Sequence, residues 1–243
     1  MKTLIIGASS GIGRALAEHL AARGDSLLLV SSDIRDLEAL SSDLKFRHGV
    51  SVDYLSLDIT DQDNSNLVQF TADCLGSWNT IFMIAGAVSE NDGDDKMQYS
   101  EIVSLAGTNF VAPAYILQAV MPLAAPKANI VVASSVAAIR PRSVNTVYGA
   151  SKRGLEHVAM GLWHRHASRL STVCCYRLGY VATSMTFGQK LLLPAISADQ
   201  AAKMMMSGVG RRSGVVYLPR WWKLVHIALI VMPWAIYKRL KIK

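Results

Sequence analysis

"IIGASSGIGRALAEHL", residues 5–20, begins as an apolar run, turns through Gly7, Ala8, Ser9, Ser10 and Gly11, and continues with Ile12, Leu16 and Leu20 at the spacing of one helix face. Gly7 permits a tight turn. Gly11 and Gly13 let an anion approach the backbone N–H groups of the helix N-terminus, where the dipole favours negative charge. The segment is therefore predicted to be a strand-to-helix turn that cradles a pyrophosphate, with Ser9, Ser10 and Ile12 beside it. Its spacing is G-x-x-x-G-x-G and not the more general dinucleotide fingerprint G-x-G-x-x-G, so the surrounding pattern has to say which kind of turn it is.

That pattern is regular. "TLIIG", "SLLLVS", "VDYLSL", "TIFMIAG", "NIVVASS", "STVCCYRLG" and "GVVYLP" read as strands, and helix-like spacing fills 11–23, 34–47, 61–75, 98–120, 147–167 and 197–210. Strands that are apolar throughout and separated by helices predict an α/β fold, a doubly wound parallel sheet of about seven strands covered on both faces. With 243 residues, one domain over 1–219 and an apolar, basic tail over 220–243 is the expected organisation. Ligands of such sheets bind beyond the carboxyl ends of the strands, where the winding reverses. The acidic run "SENDGDDK" (89–96) is expected to be a solvated loop.

Composition narrows the function classes. The chain is 51% hydrophobic and 18% charged, with a net charge of +7. Six of the positive residues, Arg220, Lys223, Lys238, Arg239, Lys241 and Lys243, lie in the tail, which has no acidic residue. The body is thus nearly neutral, which argues against a nucleic-acid-binding surface. Cys74, Cys174 and Cys175 have neither zinc-ligand nor C-x-x-C spacing and read as buried thiols in a reducing compartment. The opening "MKTLIIGASS" has too short an apolar run for a signal peptide, so a cytoplasmic protein, free or at the inner face of the membrane, is expected.

"GASSGIG", "LDIT", "GTN", "SSVAA", "YGASK" and "RLGYVATSM", in that order and spacing over about residues 1–219, resemble the motif series of the short-chain dehydrogenases/reductases. The resemblance implies a Rossmann-type oxidoreductase that moves a hydride between a nicotinamide dinucleotide and a carbonyl or secondary alcohol. Tyr148 and Lys152 are four residues apart and share a helix face. A neighbouring ammonium stabilises a phenolate, so Lys152 is expected to lower the pKa of Tyr148 and make it an acid/base near neutral pH. Ser135 precedes Tyr148 by 13 residues, the separation of the family's substrate-polarising serine, which selects it over Ser134. The resemblance further implies that Lys152 holds the nicotinamide ribose and that Asn109 retains a water relaying protons to it. Val181 and Thr183 would meet the carboxamide, Asp58, with Ile59 next to it, the adenine, and Ala85 and Gly86 would leave room for the adenosine ribose. Small residues 149–151 are expected to give the cofactor clearance. Three positions depart from the family pattern: Ile6 replaces a Thr, Ile84 an Asn and Leu178 a Pro. A dinucleotide-binding scaffold or sensor with little turnover is the competing reading, and the intact Ser135, Tyr148 and Lys152 speak against it.

At the end of the second strand an acidic residue would bind a ribose 2′-OH, whereas an Arg would accept a 2′-phosphate. Ser31 and Ser32 occupy those places. NADP(H) is favoured because nothing there repels the phosphate and Ser9, Ser10 and Ser32 are able to donate to it; Asp33 argues the other way. In the tail, "WWKLVHIALIVMPWAIYKRLKIK" (221–243), only 13 residues, Leu224–Ile236, lack charge, and Pro233 interrupts them. That is too short to span a bilayer. Aromatic and basic flanks suit contact with the headgroup region, against packing on the domain or on a partner subunit. The tail also resembles a bacterial subgroup that includes reductases of lipid-linked keto-sugars, which implies a membrane-proximal or lipid-linked substrate. Family members are commonly dimers or tetramers joined through the helices over 98–120 and 147–167.

Overall fold

All seven apolar runs form strands: β1 (Lys2–Ile6), β2 (Ser26–Ser31), β3 (Val52–Ser56), β4 (Trp78–Met83), β5 (Ala124–Ser135), β6 (Leu170–Leu178) and β9 (Gly214–Leu218). A further pair of two-residue strands, β7 (Val181–Ala182) and β8 (Ile196–Ser197), lies between β6 and β9. The computed structural model describes residues 1–61, 65–93, 95, 97–188, 191 and 193–240. The seven strands make one parallel sheet in the order β3-β2-β1-β4-β5-β6-β9. The winding reverses between β1 and β4, as doubly wound topology requires.

Period-two alternation splits the apolar runs between two cores. Leu4, Ile6, Leu28 and Val30 face one layer with Trp78, Ile116, Leu155 and Leu162. Ile5, Leu27 and Leu29 face the other, with Leu16, Leu20, Leu37 and Met205. Helices α1 (Gly11–Ala22), α2 (Ile34–His48) and α7 (Ala198–Gly208) cover the second face. On the first lie α3 (Ser65–Leu75), a rod made of α4 (Tyr99–Ala106), a π-helical turn (Gly107–Val111) and α5 (Ala112–Ala119), and α6 (Thr146–Arg165). The helix expected over 61–75 is described from Ser65 onward; residues 62–64 lie outside the described residues. The rod Tyr99–Ala119 is long and apolar enough to cross a membrane by composition, but it packs against α6 in the body of the fold. Cys174 and Cys175 are buried in β6, where burial pushes the Cys174 thiol up to about 11, while Cys74 is half-buried.

The tail forms α8 (Trp222–Val231) and α9 (Trp234–Tyr237). Both are anchored to the body: Trp222 and Tyr237 are each 6% exposed. Arg140, just after β5, donates to the carbonyls of Leu229 and Met232 at the C-terminal end of α8, and its guanidinium lies 4.1 Å from the Tyr237 ring centroid. Leu224, Ile227, Ile230, Val231 and Trp234 remain exposed. At ten residues α8 is about 15 Å long, half the thickness of a bilayer core.

Candidate active site

A cleft of about 450 Å³ opens at the carboxyl ends of β1, β4 and β5, where the winding reverses. Gly7, Ser9, Ser10, Gly11, Ile12, Ser32, Asp58, Ile59, Ala85, Gly86, Ser135, Tyr148, Lys152, Val181 and Thr183 all line it. Two anticipated site residues do not. Asn109 sits behind the wall, and Gly13 is buried in α1.

The glycine turn is fixed by close approach. Gly7 has φ 91°, and a Cβ there would stand 2.7 Å from the Ala85 nitrogen. A Cβ on Gly11 would come within 3.2 Å of the Thr183 methyl, across the mouth of the cleft. Gly13 has a different role from the one expected: its Cβ would lie 1.9 Å from the Gly7 carbonyl oxygen, so it lets α1 pack against its own entry turn. Ser10, the N-cap of α1, makes no side-chain capping bond, which leaves first-turn N–H groups as donors for a phosphate. The cradle therefore fits a dinucleotide.

At the other end, β5 delivers Ser135 and the first two turns of α6 deliver Tyr148 and Lys152. The Ser135 side chain faces the Tyr148 phenol closely enough to help its ionisation, and it accepts from the Ala137 N–H at 3.1 Å, capping the short turn Val136–Ala138. Lys152 is 3% exposed, donates to the Ala85 carbonyl at 3.2 Å, and has Nζ 5.9 Å from the Tyr148 ring centroid. The neighbouring Ser134 is committed elsewhere: it donates to buried Glu156 at 2.6 Å. Glu156 is in turn gripped by both arms of Arg177, at 2.8 and 2.7 Å, and Arg177 reaches the Tyr217 hydroxyl at 2.6 Å. Burial pushes Glu156 up to about 7, against the Ser134 hydrogen bond and the Arg153 guanidinium, which draw it down.

The electrostatics correct one expectation. Tyr148 lies above the ordinary tyrosine value and not below it, because burial outweighs the help of Ser135 and of the nearby Arg142 guanidinium. Lys152 is itself depressed to about 8 by burial. In this form of the site its charge, turned to the Ala85 carbonyl, is not among the groups that lower the phenol.

Asn109 lies in the π-helical turn, a distortion common at functional sites. Its amide pairs with the backbone of Ala87, accepting from the N–H at 3.1 Å and donating to the carbonyl at 2.8 Å. It thereby holds the strand-end segment that faces Lys152: a Cβ on Gly86 would sit 2.8 Å from Lys152 Nζ and 2.9 Å from Asn109 Oδ1. Gly149 does not provide cofactor clearance, since a Cβ there would meet the Ala137 carbonyl at 2.7 Å.

At the end of β2, Ser9 and Ser31 share a hydrogen bond of 2.8 Å. Asp33 turns away to cap α2, accepting from the N–H groups of Arg35 and Asp36 at 3.0 and 3.2 Å. Asp58 accepts from the Thr60 N–H and hydroxyl, which hold its carboxyl below the usual range.

Two contributors were not anticipated from sequence. Asp92, in the run expected to be a solvated loop, is 3% exposed and accepts from the backbone at the start of α6. Gly179, beside the cleft, is covered by Trp222 so closely that a Cβ would stand 1.9 Å from its indole nitrogen. Neither carries a local pattern, because each acts on a segment far away in sequence.

Residues 2–190 match the family model described as short chain dehydrogenase. The chain is 28% identical over 239 residues to the 11-beta-hydroxysteroid dehydrogenase-like 2 protein of Arabidopsis thaliana, covering 95% of this chain and 77% of that one. Its fold is similar to a short chain dehydrogenase from Burkholderia cenocepacia solved in complex with NADP, with TM-score 0.80, 23% identity, and 88% and 93% of the two chains covered. An alcohol dehydrogenase from Thermococcus sibiricus complexed with 5-hydroxy-NADP is similar at TM-score 0.78 and 20% identity, over 89% and 95%. With the family match spanning most of its length, on a sheet and cleft of this form, the chain belongs to the short-chain dehydrogenase family.

Proposed function

We propose that this protein is an NADP(H)-dependent oxidoreductase that interconverts a ketone and a secondary alcohol, acting on a membrane-proximal substrate such as a lipid-linked keto-sugar. The observation that carries the chemistry is the meeting of Ser135, Tyr148 and Lys152 at one end of a cleft whose other end is the glycine cradle. The dinucleotide, when bound, supplies or takes up the hydride. In the reducing direction Tyr148 gives its hydroxyl proton to the substrate oxygen, and Ser135 donates a hydrogen bond to the same oxygen. The Lys152 ammonium stabilises the phenolate left behind and orients the ribose, and Asn109 keeps the Gly86–Ala87 segment in place beside it. Val181 and Thr183 close the nicotinamide side.

Preference for NADP(H) is supported by the serines at the end of β2 and by Asp33, a carboxylate that would repel a 2′-phosphate, being turned onto the N-terminus of α2. The NADP and 5-hydroxy-NADP complexes of the two similar structures agree with it. A membrane-proximal substrate is supported by the exposed apolar face of the tail and its basic flanks, Arg220, Lys223, Lys238 and Arg239. Exposed Tyr99, Val103, Val111 and Tyr115 on the α4–α5 rod support association of copies through that face. The test is depletion of NADPH or NADH by the purified protein with lipid-linked keto-sugars, keto-sugar nucleotides and simple ketones. NADPH consumption with a ketone, faster for the lipid-linked form and lost in Tyr148→Phe, is expected. Tight NADPH binding without consumption across the panel would favour a scaffold instead.

A further inference from the structure

Helix α6 carries the reacting pair, yet its own N-cap residue does no capping. Asn145 stands in the left-handed region, φ 55°, and makes no side-chain bond to the helix. The N–H groups that an N-cap side chain ordinarily satisfies are those of the second and third helical residues, here Val147 and Tyr148. Both are taken by one carboxylate from the loop that follows β4. Asp92 accepts from Val147 N at 2.9 Å and from Tyr148 N at 2.8 Å, and from the Thr146 hydroxyl at 3.0 Å. Its own carbonyl accepts from the Asn145 N–H at 2.7 Å. The next residue, Gly93, has φ 119°, and a Cβ there would lie 2.5 Å from the Ser143 carbonyl, so the loop seats directly on the segment leading into α6.

We propose that Asp92 is a positioning residue for the reaction: it fixes the first turn of α6, and with it the Tyr148 phenol against Ser135 and Lys152 against the cofactor cleft. Three observations separate this from routine capping. The captured N–H belongs to Tyr148 itself, so a rotation of that turn displaces the phenol directly. The carboxylate is almost fully buried, which ties it to one geometry. It also comes from the loop whose start, Ala85–Ala87, already holds Lys152 and Asn109, so a single loop touches both members of the pair. The inference rests on the reading of Tyr148 as acid/base for its catalytic half, and on cofactor contact by Lys152 for the other.

The experiment uses the full chain with Asp92→Ala and Asp92→Asn, at a temperature where each variant is folded. NADPH affinity is read from its fluorescence, and turnover from NADPH oxidation with phenanthrenequinone. Asp92→Ala is expected to weaken NADPH binding about five-fold and to lower kcat by about ten-fold, the size of a small misplacement of reacting groups. Asp92→Asn keeps one acceptor oxygen and should recover most of both. Added to Lys152→Ala, Asp92→Ala should change NADPH affinity less than about two-fold, since residues acting as a unit are not additive. A lower Tm with NADPH affinity and kcat both unchanged would overturn the proposal and leave a purely structural cap. Should Asp92→Ala not fold, Asp92→Ser takes its place, and unchanged affinity and turnover in it, with faster amide exchange at Val147 and Tyr148 showing that the cap is loosened, would overturn the proposal equally. If affinity falls as expected but the wild-type protein consumes no NADPH, the positioning of Lys152 stands and the acid/base reading of Tyr148 fails.

Discussion

Tyr148 and Lys152 are both held away from their ordinary titration ranges by burial, in opposite senses. Because Tyr148 is the proposed proton donor, Tyr148→Phe should lower kcat by about 10²–10⁴-fold while leaving NADPH affinity within a few-fold, measured by single-turnover oxidation and by fluorescence titration. Burial holds Lys152 down to about 8 in the folded chain, against the 10.5 of an ordinary lysine. Between those values the unfolded chain holds more protons, so this residue makes stability rise with pH across that window and imposes its full penalty below it. Lys152→Met, which keeps an alkyl stem but no charge, is therefore expected to raise the denaturation midpoint at pH 7 and flatten its rise from pH 8 to 10.5, while abolishing activity. At the other end of the cleft, Ser32→Asp would place a carboxylate where a 2′-phosphate is proposed to lie. The ratio of NADPH to NADH affinity should fall by about ten-fold or more, each 1.4 kcal/mol of repulsion being one decade.

Among the elements, the first strand–turn–helix unit shows most plainly what a sequence can carry. Its glycines, apolar spacing and place at the start of an alternating series are all local, and they led to the turn, the sheet and the cleft. The division of labour among the glycines was not local. Gly13 is needed for contact with a carbonyl six residues back, so Gly13→Ala should destabilise by about 1–3 kcal/mol, the cost of overpacking, read as a lower urea midpoint at unchanged slope. The convergence of Ser135, Tyr148 and Lys152, the proposed reacting residues, was legible because they lie at a strand end and on one helix face, positions that spacing encodes. The raised phenol was not, since spacing says nothing of the burial that raises it or of the ammonium being turned to the Ala85 carbonyl. Asp92 was read as solvated because a run of acids usually is; only the fold reveals a helix start without its own cap opposite it. The π-helical turn at Asn109 and the β7–β8 pair likewise depend on tertiary partners.

Over the whole molecule the tail joins an exposed apolar face to buried anchors at Trp222 and Tyr237. Leu224, Ile227 and Val231 lie exposed on α8 between basic residues, which fits an anionic lipid surface. Changing all three to Asp should abolish co-sedimentation with phosphatidylglycerol vesicles, and the wild-type association should weaken as salt rises; binding unaffected by the triple change would refute a role for this face. The same segment is fastened inward through Trp222 on Gly179 and through Arg140 on the end of α8. A shortened protein ending at residue 219, tempting for anyone seeking better solubility, would strip the indole from the back of a cleft-lining glycine and remove His226 from beside the Tyr217 that closes the Glu156–Arg177 pair. The greasy end of this chain is a buttress of the cleft, and trimming it would trade handling for a loosened wall.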